Sequence, residues 1–252
     1  MLYKKFMSKA IVCSIFGTVV FSPILASANT MDILEVEGLI ETQIKTHRDI
    51  IIEQGEVLTE DDFCEIYDIY EAKLSEGIEL TDNEILTLLV EKINDKKNQA
   101  STYGYNIFGK NATKAELLLV AKYPTQSVKI FNNSSIASDA ASSLYKAETL
   151  YLGNGDAFRH AYWNALNVKS VGSDIAKAFA DAHESETPEG NDKTMDLRNN
   201  TVGRNIGRSY SNSSNNTIKN KVIEAVNAGR LNRLYNNNIK GKLIVTDSSG
   251  RK

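Results

Sequence analysis

Apolar residues in this chain return every three or four positions and almost nowhere every two. The one convincing strand-like run, Leu243-Ile244-Val245, is short. A half-buried strand needs strict alternation, whereas a helix needs a stripe along one face, so this pattern reads as helical nearly throughout. No internal repeat or heptad array accompanies it. The fold class expected is all-α: a small acidic helical bundle followed by a larger helical domain, with one short strand-like segment at most near the C-terminus.

The first residues carry Lys4, Lys5 and Lys9, then an apolar run from Ala10 to Leu25, then Ala26-Ser27-Ala28. That order is the pattern of a secretory signal peptide over 1–28, cut before Asn29; an uncleaved N-terminal anchor is the alternative. The run is short for a membrane span, and none is expected after cleavage. Cys13 lies inside this segment without the small residue before it that a lipid-attachment site requires. Cleavage would leave Cys64 alone, so no intramolecular disulfide can form, and an exported chain must then rely on an ordinary apolar core. Cys64 sits in the helical pattern Phe63, Cys64, Tyr67, Tyr70 and reads as a small buried hydrophobe. The expected location is secreted or associated with the cell envelope.

Charge divides the chain. Residues 31–100 carry 19 acidic side chains against 6 basic ones, and residues 196–252 carry 3 against 11. This polarity, hidden in a net charge of −3, suggests two modules. The acidic one, 31–98, reads as three amphipathic helices. Thr59 caps the second ahead of Glu60, Asp61 and Asp62, and Thr81 with Glu84 forms a capping-box pattern before the third. His47 is expected at its surface. Lys96, Lys97, Asn98, Gln99 and Ser101 read as a linker to a helical domain over 103–245. There Thr113 and Glu116 open a helix that Pro124 stops, and another stretch covers Ser138 to Leu150. The basic third suits an anionic polymer such as cell wall or nucleic acid, or an anionic lipid surface.

Between Gly153 and Gly207, three further helices gather residues that a core has little need of. On the first, Asp156, His160 and Asn164 lie four apart on one face, beside Arg159 and Trp163. An aspartate one turn before a histidine can fix the tautomer and orientation of the imidazole. The second carries Asp181, His183 and Glu184 beside a face of Ile175, Ala178, Phe179 and Ala182. The third carries Asp196, Asn199, Asn200 and Arg204. Two adjacent asparagines inside a helix break local propensity, which marks a functional or buried polar site. Gly203 and Gly207, four apart, would let a neighbouring helix approach closely. A zinc-protease pattern and a serine elbow are both missing.

Two chemistries fit. His160, His183, Glu184 and Asp196 can hold a divalent metal, zinc or manganese, with a position left for water. Without a metal, His160 and His183 serve as base and acid, oriented by Asp156 and Asp181, with Arg159 or Arg204 stabilising negative charge. Asn164, Asn199, Asn200 and Trp163 are the expected binding residues. A purely structural polar network is the third possibility.

The run Gly153-Asn154-Gly155-Asp156-Ala157-Phe158-Arg159-His160-Ala161-Tyr162-Trp163-Asn164-Ala165-Leu166, followed by Asp181-Ala182-His183-Glu184 and by Met195-Asp196-Leu197-Arg198-Asn199-Asn200 with Val202-Gly203-Arg204, resembles an uncharacterised bacterial domain family found in secreted proteins and at the ends of large toxin-like polypeptides. The resemblance implies a small α-helical, effector-like domain with no assigned activity. In place of a repeat-rich carrier this chain has its own signal peptide and an acidic bundle. The function expected is an exported bacterial hydrolase with a His/Asp site, metal-dependent or not, acting on an anionic polymer or lipid. The alternative is a non-enzymatic protein that binds the envelope or cell surface.

Overall fold

Threonine followed three residues later by a carboxylate sets the start of three helices. The Thr59 N–H donates to Asp62 at 2.6 Å, that of Thr81 to Glu84 at 2.7 Å and that of Thr113 to Glu116 at 2.7 Å. Each bond satisfies a donor that the helix itself leaves open. The computed structural model describes residues 33–103 and 112–252; the expected signal peptide, 1–28, lies outside them. Among the described residues the helices are α1 (Ile33–Gln54), α2 (Glu60–Ser75), α3 (Asp82–Tyr103), α4 (Lys114–Lys122), α5 (Pro124–Leu144), α6 (Asn154–Val171), α7 (Ser173–His183), α8 (Asn191–Ser209) and α9 (Asn215–Asn227). The chain is all-α apart from two short antiparallel strands, β1 (Asn232–Leu234) and β2 (Leu243–Val245), paired through Arg233 and Ile244. None of the described helices is long and apolar enough to cross a membrane.

The chain forms two compact units, one ending at Thr46 and the other running from His47 to Lys252. Helices α2 and α3 therefore share a unit with everything that follows, and both pack on α5. The contact is aromatic as well as aliphatic: Phe63 of α2 stacks on Phe131 of α5 with ring centroids 4.0 Å apart. His47 is buried rather than superficial, and that burial lowers its pKa.

Three element boundaries differ from the sequence reading. Residues 96–101 continue α3 instead of forming a linker, because Lys, Gln and Ala are good helix formers whatever their polarity. Lys96 also pairs with Asp62 of α2 at 2.8 Å, and Lys97 with Gln54 at 2.6 Å. Pro124 does end α4, but it also occupies the first position of α5, where its missing N–H costs nothing. That helix starts well before Ser138, and its asparagines and serines had masked the stripe of Val128, Ile130, Ala137 and Ala141. Finally, Leu243–Val245 has a partner strand that no apolar run announced.

Helix α6 is central. From Asn154 to Val168 every side chain except Arg159 is buried, since α5, α7, α8 and α9 all pack on it. Its closest neighbour is α8, across Gly203 and Gly207, where a Cβ would meet the carbonyl oxygens of Ala161 at 2.2 Å and Ala165 at 2.7 Å. A polar residue on α6 is thus placed in the core and held there.

Candidate functional site

The turn before α6 sets the site. Leu152 adopts a left-handed backbone conformation, φ 58°, which aims its N–H at Asp156 Oδ2, 2.7 Å away. The other oxygen, Asp156 Oδ1, accepts from Arg159 Nη2 at 2.7 Å and lies 3.6 Å from His160 Nε2. Across from it, Asp196 Oδ1 of α8 lies 3.4 Å from the same nitrogen. Arg159 Nη2 is also 2.7 Å from His160 Nε2. A guanidinium can only donate, so Nε2 accepts and the ring proton sits on Nδ1. That atom faces Glu184 Oε1 at 3.9 Å. Asp156, His160 and Asp196 each offer a ligand atom within 4.8 Å of the others.

The carboxylates are crowded. The Asp196 carboxyl is pushed up to about 8, first by burial and then by the charges of Asp156 and Glu184. Asp196 Oδ1 and Glu184 Oε1 are buried yet accept no hydrogen bond from the described residues. His160 and Glu184 are sealed from solvent, each side chain 4 % exposed, while Arg159 at 30 %, His183 at 16 % and Asp196 at 14 % form the open side.

His183 stands beside this cluster, its ring centroid 6.5 Å from that of His160. Trp163 packs edge-on against it at 5.3 Å. Its Nδ1 lies 3.0 Å from Glu116 Oε1, and Glu116 Oε2 accepts the Thr113 N–H. Burial alone would push the Glu116 carboxyl up, but the hydrogen bond and charge of His183, with the Thr113 N–H and hydroxyl, bring it below its ordinary value. Glu60, at the start of α2, also reaches this region. Burial raises its carboxyl, which the Ser134 hydroxyl and the charges of Arg159 and His183 oppose.

The remaining expected residues divide by what they touch. Asp181 is exposed on the far side of α7 and pairs with Lys177, so Glu116, not Asp181, orients His183. Arg204 is buried against Asn164 Oδ1 at 3.1 Å and Thr201 Oγ1 at 3.0 Å, and burial lowers its pKa. Asn164 donates to the His160 carbonyl at 3.1 Å and to Asn200 at 2.7 Å. Asn199 clamps the backbone of Asn232, and Trp163 donates to the Ile130 carbonyl at 3.1 Å. Of the expected metal set, His160 and Asp196 converge, joined by Asp156; Glu184 stands behind the ring and His183 is engaged by Glu116. The sequence reads Glu116 and Glu60 only as helix-start residues and gives neither a part in the site, because a carboxylate in the first turn of a helix needs no other explanation.

Asp156, His160 and Asp196 could hold a cation or water at the point that Arg159 Nη2 now occupies, with His183 facing whatever enters from the open side. No curated protein and no solved structure matches the chain. A family model described as a domain of unknown function, DUF6973, matches residues 117–230, a span that contains Asp156, Arg159, His160, His183, Glu184 and Asp196 and runs from α4 through α9.

Proposed function

We propose that this protein is an exported, effector-like bacterial hydrolase that cleaves an anionic polymer or lipid at the His160 cluster. The observation that carries the reading is the placement of one imidazole nitrogen opposite two carboxylate oxygens, at 3.4 and 3.6 Å, on the floor of a site whose open side holds Arg159 and His183. Once the Arg159 guanidinium swings away from His160 Nε2, a water in its place loses its proton to that nitrogen as it attacks. The displaced guanidinium, on the open side, neutralises the charge that grows on the substrate. The His183–Glu116 pair stands on the same side and supplies a proton to the leaving group. Arg159 and the basic residues from Arg198 onward suit an anionic substrate.

A second reading, an envelope-binding protein without catalysis, has its own support in a groove along the outer face of α8. Thr194, Arg198, Thr201 and Arg230 line it together with Leu197 and Val202. Two arginines beside apolar side chains suit an anionic polymer. The two readings part on one experiment. Purified protein is incubated with RNA, DNA, anionic phospholipid vesicles and cell-wall polymer, with and without divalent cations, and compared with His160→Gln and His183→Gln variants checked for folding by circular dichroism. Cleavage lost in both variants supports the hydrolase. Binding that persists in both, with no cleavage by the parent, favours the binding protein and ends the hydrolase reading.

A further inference from the structure

We infer that Asp156, His160 and Asp196 form a divalent-cation site in which the Arg159 guanidinium is the stand-in occupant, giving way to the cation and moving toward Glu60 of α2. This rests on the hydrolase reading only for its purpose; the site itself stands on geometry.

The stand-in is the first observation. Arg159 Nη2 lies 2.7 Å from both Asp156 Oδ1 and His160 Nε2, so a positive nitrogen sits where those two ligand atoms converge. Asp196 Oδ1, the third, faces the same nitrogen of the imidazole at 3.4 Å. One guanidinium leaves that oxygen buried and without a hydrogen bond. A metal ion at the same point would reach all three.

Glu184 is the second and independent observation. It is 3 % exposed, its Oε1 accepts no hydrogen bond, and it faces the Nδ1 side of the ring. At 3.9 Å from Nδ1 it needs only a small shift to accept that ring N–H, the bond that fixes the tautomer of a histidine and strengthens its other nitrogen as a metal ligand. Three carboxylates, Asp156, Glu184 and Asp196, share this cluster with one arginine, so a dication improves the charge balance.

The arginine has somewhere to go. Its side chain is 30 % exposed, and Glu60 attracts it electrostatically while keeping a buried Oε1 that accepts no hydrogen bond. Helix α2 thereby acquires a part in the site, as the acceptor of the displaced cation side chain. One imidazole with two carboxylates suits manganese or zinc; calcium prefers oxygen alone.

Titration of the full-length protein, stripped with EDTA and dialysed, with Mn²⁺ or Zn²⁺ by calorimetry tests this without any substrate. One cation per chain is expected. Asp196→Asn and His160→Gln are expected to lose about a hundredfold in affinity, and Glu184→Gln about tenfold, the range for a group behind a ligand. Arg159→Gln removes the competitor and is expected to bind more tightly, whereas Glu60→Gln, which removes the refuge, binds more weakly. Failure of both the parent and Arg159→Gln to bind either metal overturns the proposal, as does binding that ignores Asp196→Asn and His160→Gln. The Arg159 variant keeps the test alive where a ligand variant does not fold. Stoichiometric binding without cleavage of any polymer sinks the hydrolase reading and leaves the cation site standing. Cleavage undiminished in EDTA by a protein that binds no metal does the reverse.

Discussion

Gly203 lies so close to Ala161 that a Cβ at position 203 would sit 2.2 Å from the Ala161 carbonyl oxygen and 2.7 Å from its Cα. Both obstacles are backbone, which cannot rotate aside, and α6 and α8 carry His160 and Asp196 respectively. Gly203→Ala is therefore expected to force the helices apart and to cost about 3 kcal/mol, the upper end of what overpacking does. Gly207→Ala, facing the Ala165 carbonyl at 2.7 Å, should cost less. Denaturant midpoints by circular dichroism give the order, and a Gly203→Ala protein as stable as the parent would show that the helices are not in backbone contact.

Asn199 holds β1 rather than a ligand. Its side chain donates to the Asn232 carbonyl at 2.9 Å and accepts the Asn232 N–H at 2.8 Å, so Asn199→Ala leaves two backbone groups without partners. A loss of about 2 kcal/mol in stability is expected, with Mn²⁺ affinity per folded molecule unchanged. Lost affinity at full stability would return Asn199 to the site.

What the sequence disclosed and what it hid follow from the kind of information each feature carries. Asp156, His160 and Asn164 were legible as one line because residues four apart on a helix share a face, and the paired glycines were legible because only a close approach explains them. Asp181 misled for the same geometric reason: two residues from His183 it points about 200° away around the helix, out to solvent. Glu116 was invisible as the partner of His183, since no local rule connects residues on α4 and α7. Pairings between distant segments are set by packing, and a capping carboxylate that also serves a histidine looks like any other cap.

The Glu116 pair carries a pH signature. Its carboxyl is held below the ordinary 4.5 of a glutamate, so the unfolded chain takes up that proton more readily than the folded one. The stabilisation is present above 4.5 and is lost as pH falls through the folded value. Glu116→Gln should therefore be less stable than the parent at neutral pH by about 2 kcal/mol, the scale of a hydrogen bond to a charged carboxylate, with the gap closing in acid. Midpoints measured at neutral pH and near pH 3.5 decide it; a gap that stays constant would mean that the Glu116 carboxylate does not stabilise the fold through its charge.

Cys64 should behave as an inert thiol. Its pKa is pushed up to about 11, first by burial and then by the Glu60 charge, which leaves little thiolate at pH 8. Alkylation by iodoacetamide is expected to run about a hundredfold slower than for a free cysteine, following the thiolate fraction, and to accelerate only in strong base. Labelling at the rate of an exposed thiol under native conditions would contradict this.

Asn164 is the joint of the buried polar ladder, and the two ways of breaking it should differ. It is fully buried, accepts from Arg204 at 3.1 Å and donates to Asn200 Oδ1 at 2.7 Å. Asn164→Ala leaves Arg204 Nη1 and the Asn200 oxygen without these partners in the core, while Arg204 Nη2 keeps Thr201, at a cost of about 3 kcal/mol. Asn164→Asp instead supplies Arg204 with a carboxylate. It also removes the donor to Asn200 and to the His160 carbonyl, but that carbonyl keeps the helical N–H of residue 164, and the Asn200 Nδ2 is buried without a hydrogen-bond partner, so turning that amide over lets it donate to the new carboxylate. The aspartate variant should therefore be the more stable of the two, by about 2 kcal/mol in denaturation at neutral pH. The opposite order would mean that Asn200 cannot turn, and that its oxygen is pinned toward position 164 by the same tight α6–α8 contact that Gly203 permits.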